Sequence, residues 1–276
     1  MNRMMYSLIA LLASMVLSFG PREARAAAPP NDDIRNATEI RDFPSHRRLD
    51  TRDATTAPGD PECWGFVGHS VWFRVTAPTS ASLPLTVHTI GSDFDTVVSI
   101  YTMTEGRLTE IRCDDNAVHP TSVAMFTAEA GQTYYIMVGS SGRAPGGDLQ
   151  LGVERARAAS NDALRDATVI EGLPFVDAVE MSRTTISLDE PPLCEVYGTI
   201  WYSFTPTESD QIFVAAFADA EFEPTIGLYE RTPSGWELVS QSCGSQWKGG
   251  VDAGRTYVLG VGTRRGPNRA VTLVVQ

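Results

Sequence analysis

Lysine is almost missing from this sequence: Lys248 is the single lysine among 22 basic residues, the rest being arginine. The skew reads as codon bias rather than as a guanidinium-recognition surface. Positive charge is scarce altogether, with 34 acidic residues and a formal net charge of −12. That argues against a phosphate-backbone partner, which needs clustered Lys and Arg, and disfavours an anionic membrane surface. It fits solubility outside the cell, or attraction to cations. Catalytic signatures are missing too. There is no G-x-S-x-G, no H-E-x-x-H and no phosphate-binding glycine loop. The four histidines, His46, His69, His88 and His119, all lie in the first half. His69, Ser70 and Asp93 can be grouped on paper as a Ser–His–Asp set, but a chain with four His and many Ser yields such sets by chance. We expect no enzyme. Paired C-x-x-C spacing is absent and no Cys is coupled to a repeated His, which argues against zinc and against a catalytic thiol.

The N-terminus reads as a secretory signal. Arg3 supplies the positive start, Met4 to Phe19 is apolar, and Ala24-Arg25-Ala26 fits a small-x-small cleavage site. The apolar run is about 16 residues, short for a span of ~20, and no later stretch is long enough to cross a bilayer. Removing residues 1–26 takes away three Arg and one Glu, moving the charge from −12 to about −14. We therefore expect a secreted, periplasmic or cell-surface protein without a membrane span after cleavage.

The mature chain repeats itself. Asn31-Asp-Asp-Ile-Arg-Asn-Ala-Thr-Glu-Ile40 returns as Asn161-Asp-Ala-Leu-Arg-Asp-Ala-Thr-Val-Ile170. Ser70-Val-Trp-Phe-Arg-Val-Thr-Ala-Pro78 matches Thr199-Ile-Trp-Tyr-Ser-Phe-Thr-Pro206, and Ala130-Gly-Gln-Thr-Tyr-Tyr-Ile-Met-Val-Gly139 matches Ala253-Gly-Arg-Thr-Tyr-Val-Leu-Gly-Val-Gly262. A period of about 130 residues is a domain duplication, not a solenoid. We assign 27–156 to repeat one and 157–276 to repeat two, with Glu154–Ser160 as a polar, Ala-rich joint. Within each copy the apolar period is two, as in Val71/Phe73/Val75 and Ile200/Tyr202/Phe204. About seven to nine strands per repeat with regular turn signals predict an all-β fold of two tandem antiparallel, jelly-roll-like β-sandwich domains. A short helical turn is expected after Asn31 and after Asn161, with Asn as its cap.

Cys63 and Cys113 have nearly the same spacing as Cys194 and Cys243. Four cysteines allow three connectivities, and the repeat selects Cys63–Cys113 with Cys194–Cys243. Each bridge would contribute about 4 kcal/mol by chain entropy.

These residues resemble those of the bacterial pre-peptidase C-terminal domain family: the Asn-Asp-x-x-x-x-Ala-Thr-x-Ile opening, a Cys before the Val-Trp-Phe or Ile-Trp-Tyr strand, Gly91-Ser-Asp-Phe-Asp-Thr-Val-Val-Ser-Ile-Tyr101 leading to Cys113-Asp-Asp-Asn116, and the Ala-Gly-x-Thr-Tyr ending. The resemblance covers nearly all of the mature chain, twice, and implies β-sandwich accessory modules found beside secreted peptidases and on cell surfaces. Some such modules bind calcium or extracellular matrix polymers. No peptidase domain accompanies them here.

The sharpest candidate site is acidic. Asp93 and Asp95 are two apart, so they share a side of an extended segment, and Asp114 and Asp115 follow Cys113. Grouped carboxylates repel unless protonated or bridged by a cation, and hard oxygens suit calcium. Calcium is the cofactor expected, in repeat one alone, because the matching positions in repeat two fall at about Phe222, Pro224, Gly244 and Ser245. The alternative is a solvated acidic loop. Trp72 and Trp201 recur at one strand position and are expected to pack beneath a neighbouring loop. Trp64, Phe66, Trp236 and Trp247 differ between copies and are candidate ligand contacts. The expected function is a binding or adhesion module for an extracellular polymer or protein surface. The alternative is an accessory or inhibitory partner of a separately encoded secreted hydrolase.

Overall fold

The computed structural model describes residues 27–63, 65–181, 183–187, 189–194, 196, 198–218, 224–263 and 270–276. The expected signal segment 1–26, Trp64 and Phe222 lie outside the described residues.

Repeat one lays down β1 (Thr38–Ile40), β2 (Ser45–Asp50), β3 (Val67–Thr76), β4 (Leu83–His88), β5 (Thr96–Thr104), β6 (Arg107–Asp115), β7 (Val123–Ala128), β8 (Thr133–Ser141) and β9 (Asp148–Arg155). They form two sheets, ordered β1-β3-β8-β5-β6 and β2-β9-β4-β7. The joint contributes β10 (Arg157–Ala158). Repeat two follows with β11 (Thr168–Val169), β12 (Phe175–Glu180), β13 (Thr199–Phe204), β14 (Asp210–Ala218), β15 (Pro224–Thr232), β16 (Gly235–Ser242), β17 (Gln246–Val251), β18 (Tyr257–Thr263) and β19 (Ala270–Val275). Its sheets are β11-β13-β18-β15-β16 and β10-β12-β19-β14-β17. The all-β sandwich class read from the two-residue period is therefore seen. Alternate residues point between paired sheets: Val71, Phe73 and Val75 meet Leu85, Val87 and Leu151 in one core, and Ile200 and Tyr202 meet Val214 and Leu273 in the other.

Three short ladders depart from the antiparallel expectation. β1 pairs with β3, β10 with β12 and β11 with β13 in parallel. In each repeat the opening segment first runs beside one sheet and then crosses to the other. The expected helical turns are single 3-10 turns, Ile34–Asn36 and Leu164–Asp166. Asp33, not Asn31, caps the first, accepting from the Arg35 N–H, and the second has no side-chain cap. Asn31 and Asn161 are buried and do other work, described below.

β3 does not alternate cleanly: Val71, Trp72 and Phe73 are all buried. A third layer explains it. The segment between β2 and β3 lies over the outer face of the β3-containing sheet, and Trp72 sits under it with Cys63, Val67, Tyr101 and Met137. Trp201 is buried likewise against Tyr229 and Val258, with Leu193 packed on them.

The two sandwiches also pack on each other. Ile90, Val118 and Val123 of repeat one share a buried cluster with Ala215 and Val274 of repeat two. Beside it, buried Thr86 and Thr272 are hydrogen-bonded through their hydroxyls at 2.7 Å. The joint is structured: Arg157 pairs with Asp177 at 2.5 Å and donates to Ser160 at 3.1 Å. No helix among the described residues is long and apolar enough to cross a membrane.

Candidate functional site at the loop end of repeat one

The Asn-Asp pair that opens each repeat builds the third layer. Asn31 Nδ2 donates to the Trp72 carbonyl at 2.9 Å, and Trp72 N–H donates back to the Asn31 carbonyl at 2.8 Å. Asn161 does the same with Trp201, at 2.8 and 2.9 Å. One residue thus satisfies both backbone groups of a buried strand position, as a neighbouring strand would. The adjoining Asp32 accepts from Thr55 N and Oγ1, both at 2.6 Å, and Asp162 from Thr185 at 2.6 and 2.9 Å. These carboxylates hold the overlying segment. Disulfides Cys63–Cys113 and Cys194–Cys243 tie its far end to β6 and to the residue just after β16, with Cα separations of 5.9 and 5.8 Å. The pairing expected from the repeat is the one present. Ser70, floated above as a nucleophile, is fully buried, and its hydroxyl donates to Asp60 at 2.5 Å and the Thr55 carbonyl at 3.1 Å.

The four aspartates of repeat one do not form one cluster. The segment between β4 and β5 turns rather than running extended, so the two-apart rule fails there, and Phe94 is drawn into the core. Asp93 turns to Arg52, at 3.0 Å, and accepts from the Asp148 N–H at 2.7 Å. Asp114 accepts from Ala117 and Val123 N–H at 3.1 and 2.8 Å, closing the turn before β7. Both are spent on structure. Burial raises the Asp114 carboxyl above its usual range, with those backbone donors opposing the shift.

Asp95 and Asp115 do come together. Burial, and then the charge of Asp115, pushes the Asp95 carboxyl up, while His119 opposes. Asp95 Oδ1 is buried with no hydrogen-bond partner, whereas Asp115 accepts from Asn116 at 2.8 Å and Ser141 Oγ at 3.2 Å. Asn116 has φ 85° and its Oδ1 meets His119 Nδ1 at 2.7 Å. For calcium, which takes about six to eight oxygens, this pair is a partial set; among the described residues no group of three or more His, Cys, Asp or Glu is placed to hold a metal.

The loop after β8 links this acidic corner to an aromatic one. Ser141 N–H donates to the Asp95 carbonyl at 3.0 Å, and Gly142 N–H to the Phe66 carbonyl at 2.9 Å. Phe66 is 49% exposed. It lines a cavity of about 240 Å³ with Ala54, His69 and Arg143. His69 has φ 49°, a left-handed conformation that is costly outside glycine, and its buried Nδ1 has no partner. Register places Gly198 at that position in repeat two. His69 and Arg143 were not singled out as ligand contacts by sequence reasoning. The signal available was the exchange of His69 for Gly198 between copies. The other candidate aromatics are engaged within repeat two. Arg231 lies 4.9 Å over the Trp236 ring, and Trp247 packs on the second core with its ring over Gly249.

No protein-family model and no curated protein matches the sequence. Among solved structures the chain is similar to tripeptidyl peptidase 2, at 11% identity and TM-score 0.27 over 87% of this chain and 24% of that one. It is similar to the CUB1-EGF-CUB2 domains of rat MASP-1, at 11% identity and TM-score 0.24 over 87% and 99% of the chains. An uncharacterized protein from Burkholderia cenocepacia aligns at 10% identity and TM-score 0.25 over 85% and 82%. These superpositions are too loose to bear on function.

Proposed function

We propose that this is an exported, non-catalytic binding module, related to pre-peptidase C-terminal domains, that recognises an extracellular polymer or protein surface with the loop end of repeat one. The supporting observation is a contrast within one chain. Two copies share the clasp, the disulfide and the buried Trp, so those features belong to the fold. Among the described residues, only repeat one joins an exposed Phe66, strained His69 and Arg143 to a half-buried carboxylate pair. Strained residues persist where the surroundings over-determine them, and they gather at binding sites. Two disulfides fit an oxidising compartment. Calcium, if it assists, acts through Asp95 and Asp115.

His69→Gly tests the reading, because it installs the residue of repeat two. Relief of the left-handed strain stabilises the fold by about 1 kcal/mol, while retention on immobilised matrix polymers and glycans falls, as it does for Phe66→Ala. Undiminished retention of both variants would place binding elsewhere.

A further inference from the structure

Repeat two carries a groove at its opposite end that repeat one has filled. It is a cavity of about 380 Å³, within the size range of ligand sites. Its floor is the edge of the second core, formed by the buried Ile170, Phe204, Ile212 and Val251, with Leu173 standing 48% exposed beside them. Ladder register explains the opening. Taking Val153 of β9 and Val275 of β19 as equivalent, Leu173 occupies the place of Phe43 and Asp210 that of Leu83. In repeat one Leu83 is a core residue and Phe43 packs against that core. Two bulky apolar side chains have thus become a shorter one and a carboxylate. The rim changes as well. Glu171, Glu208 and Asp210 surround the groove, and no Lys or Arg does so among the described residues that line it. Glu171 stands where repeat one has Arg41, which pairs with Glu39 at 2.9 Å.

We propose that this groove binds a cationic peptide segment, seating one bulky apolar side chain over the core edge that Phe43 and Leu83 cover in repeat one, with flanking Lys or Arg meeting the acidic rim. The site is separate from the loop end of repeat one and does not depend on that reading. An end-blocked heptapeptide, Lys-Arg-Gly-Phe-Gly-Arg-Lys, serves as the probe, with a twin in which Glu replaces all four basic residues. Methyl resonances of Ile170, Leu173, Ile212 and Val251 in the mature chain should shift saturably with the basic peptide and not with the acidic twin. Leu173→Phe should weaken binding by at least about tenfold. Glu171→Arg, at an exposed position, should weaken it several-fold and flatten its salt dependence between about 0.01 and about 1 M, where the Debye length falls from about 30 to about 3 Å. Equal binding of the twin, unchanged binding in both variants, shifts at other methyls only, or no saturable shift would each overturn the proposal. Should Leu173→Phe melt well below wild type, the Glu171→Arg result and the twin decide it.

Discussion

Replacing Asn31 isolates the bond that holds the third layer to the sandwich. Asn31 is 2% exposed, and its Nδ2 donates to the Trp72 carbonyl at 2.9 Å. Asn31→Ala keeps the backbone bond from Trp72 but strips that carbonyl of its side-chain donor. A buried acceptor left bare costs about 1–3 kcal/mol. At about 2–4 °C per kcal/mol for a body of this size, melting falls by about 2–12 °C. Asn31→Asp has the same shape and sharpens the test. At neutral pH it sets a buried carboxylate oxygen against a carbonyl oxygen, so it destabilises more than Ala does. Burial beside that carbonyl raises its carboxyl in the folded state, and once protonated the group donates as the amide did. The unfolded chain then gives up the proton at lower pH than the folded one. Stability relative to wild type is therefore best below the ordinary Asp value and is lost as pH rises through the raised folded value. Melting and urea midpoints measured between about pH 4 and pH 8 should show an Asp deficit that shrinks on acidification and an Ala deficit that does not. An Asp variant no worse than Ala at neutral pH, or with a pH-independent deficit, would refute the role given to Nδ2. Asn161 offers the same pair of substitutions in the second copy, with costs that add to those of Asn31.

Two other outcomes follow from groups already placed. Cys63→Ala with Cys113→Ala frees one end of the overlying segment and should cost up to about 4 kcal/mol; mass spectrometry of the native chain should find only the two within-repeat bridges, and a bridge between repeats would contradict the fold. Asp95→Asn removes a carboxyl whose raised folded value makes its ionised form unfavourable, so without calcium the variant should melt above wild type at pH 7 and converge with it as pH falls toward the ordinary Asp value. If calcium bridges Asp95 and Asp115, the ion at 100 times its dissociation constant adds about 2.7 kcal/mol to wild type and nothing to the variant; no calcium-dependent shift in wild type removes the ion from the proposal.

What was legible from sequence tracks how local each signal was. Strand period, the disulfide pairing and the burial of Trp72 and Trp201 could be read because the second copy repeats them. The role of Asn31 could not: an Asn ahead of a short turn reads as a cap, and only the fold shows its amide reaching a strand 41 positions on. The arrangement of the four aspartates could not be read from sequence for a related reason. Putting Asp93 and Asp95 on one side because they are two positions apart presumes an extended backbone, and the turn there sends one to Arg52 and the other to Asp115. The groove was hidden by drift. Phe43 and Leu173 align by eye, but Leu83 and Asp210 lie among insertions, and only hydrogen-bond register equates them.

The packing of Ile90, Val118 and Val123 against Ala215 and Val274 makes the pair of repeats a caliper rather than two beads on a string. With the joint paired into a sheet and Thr86 bonded to Thr272, the span between the loop end of one repeat and the groove of the other is set by the fold. Linked sites gain from one another only when the target presents its determinants at the matching distance, and gain nothing otherwise. A partner engaged at both ends would be selected by its dimensions as well as by its chemistry.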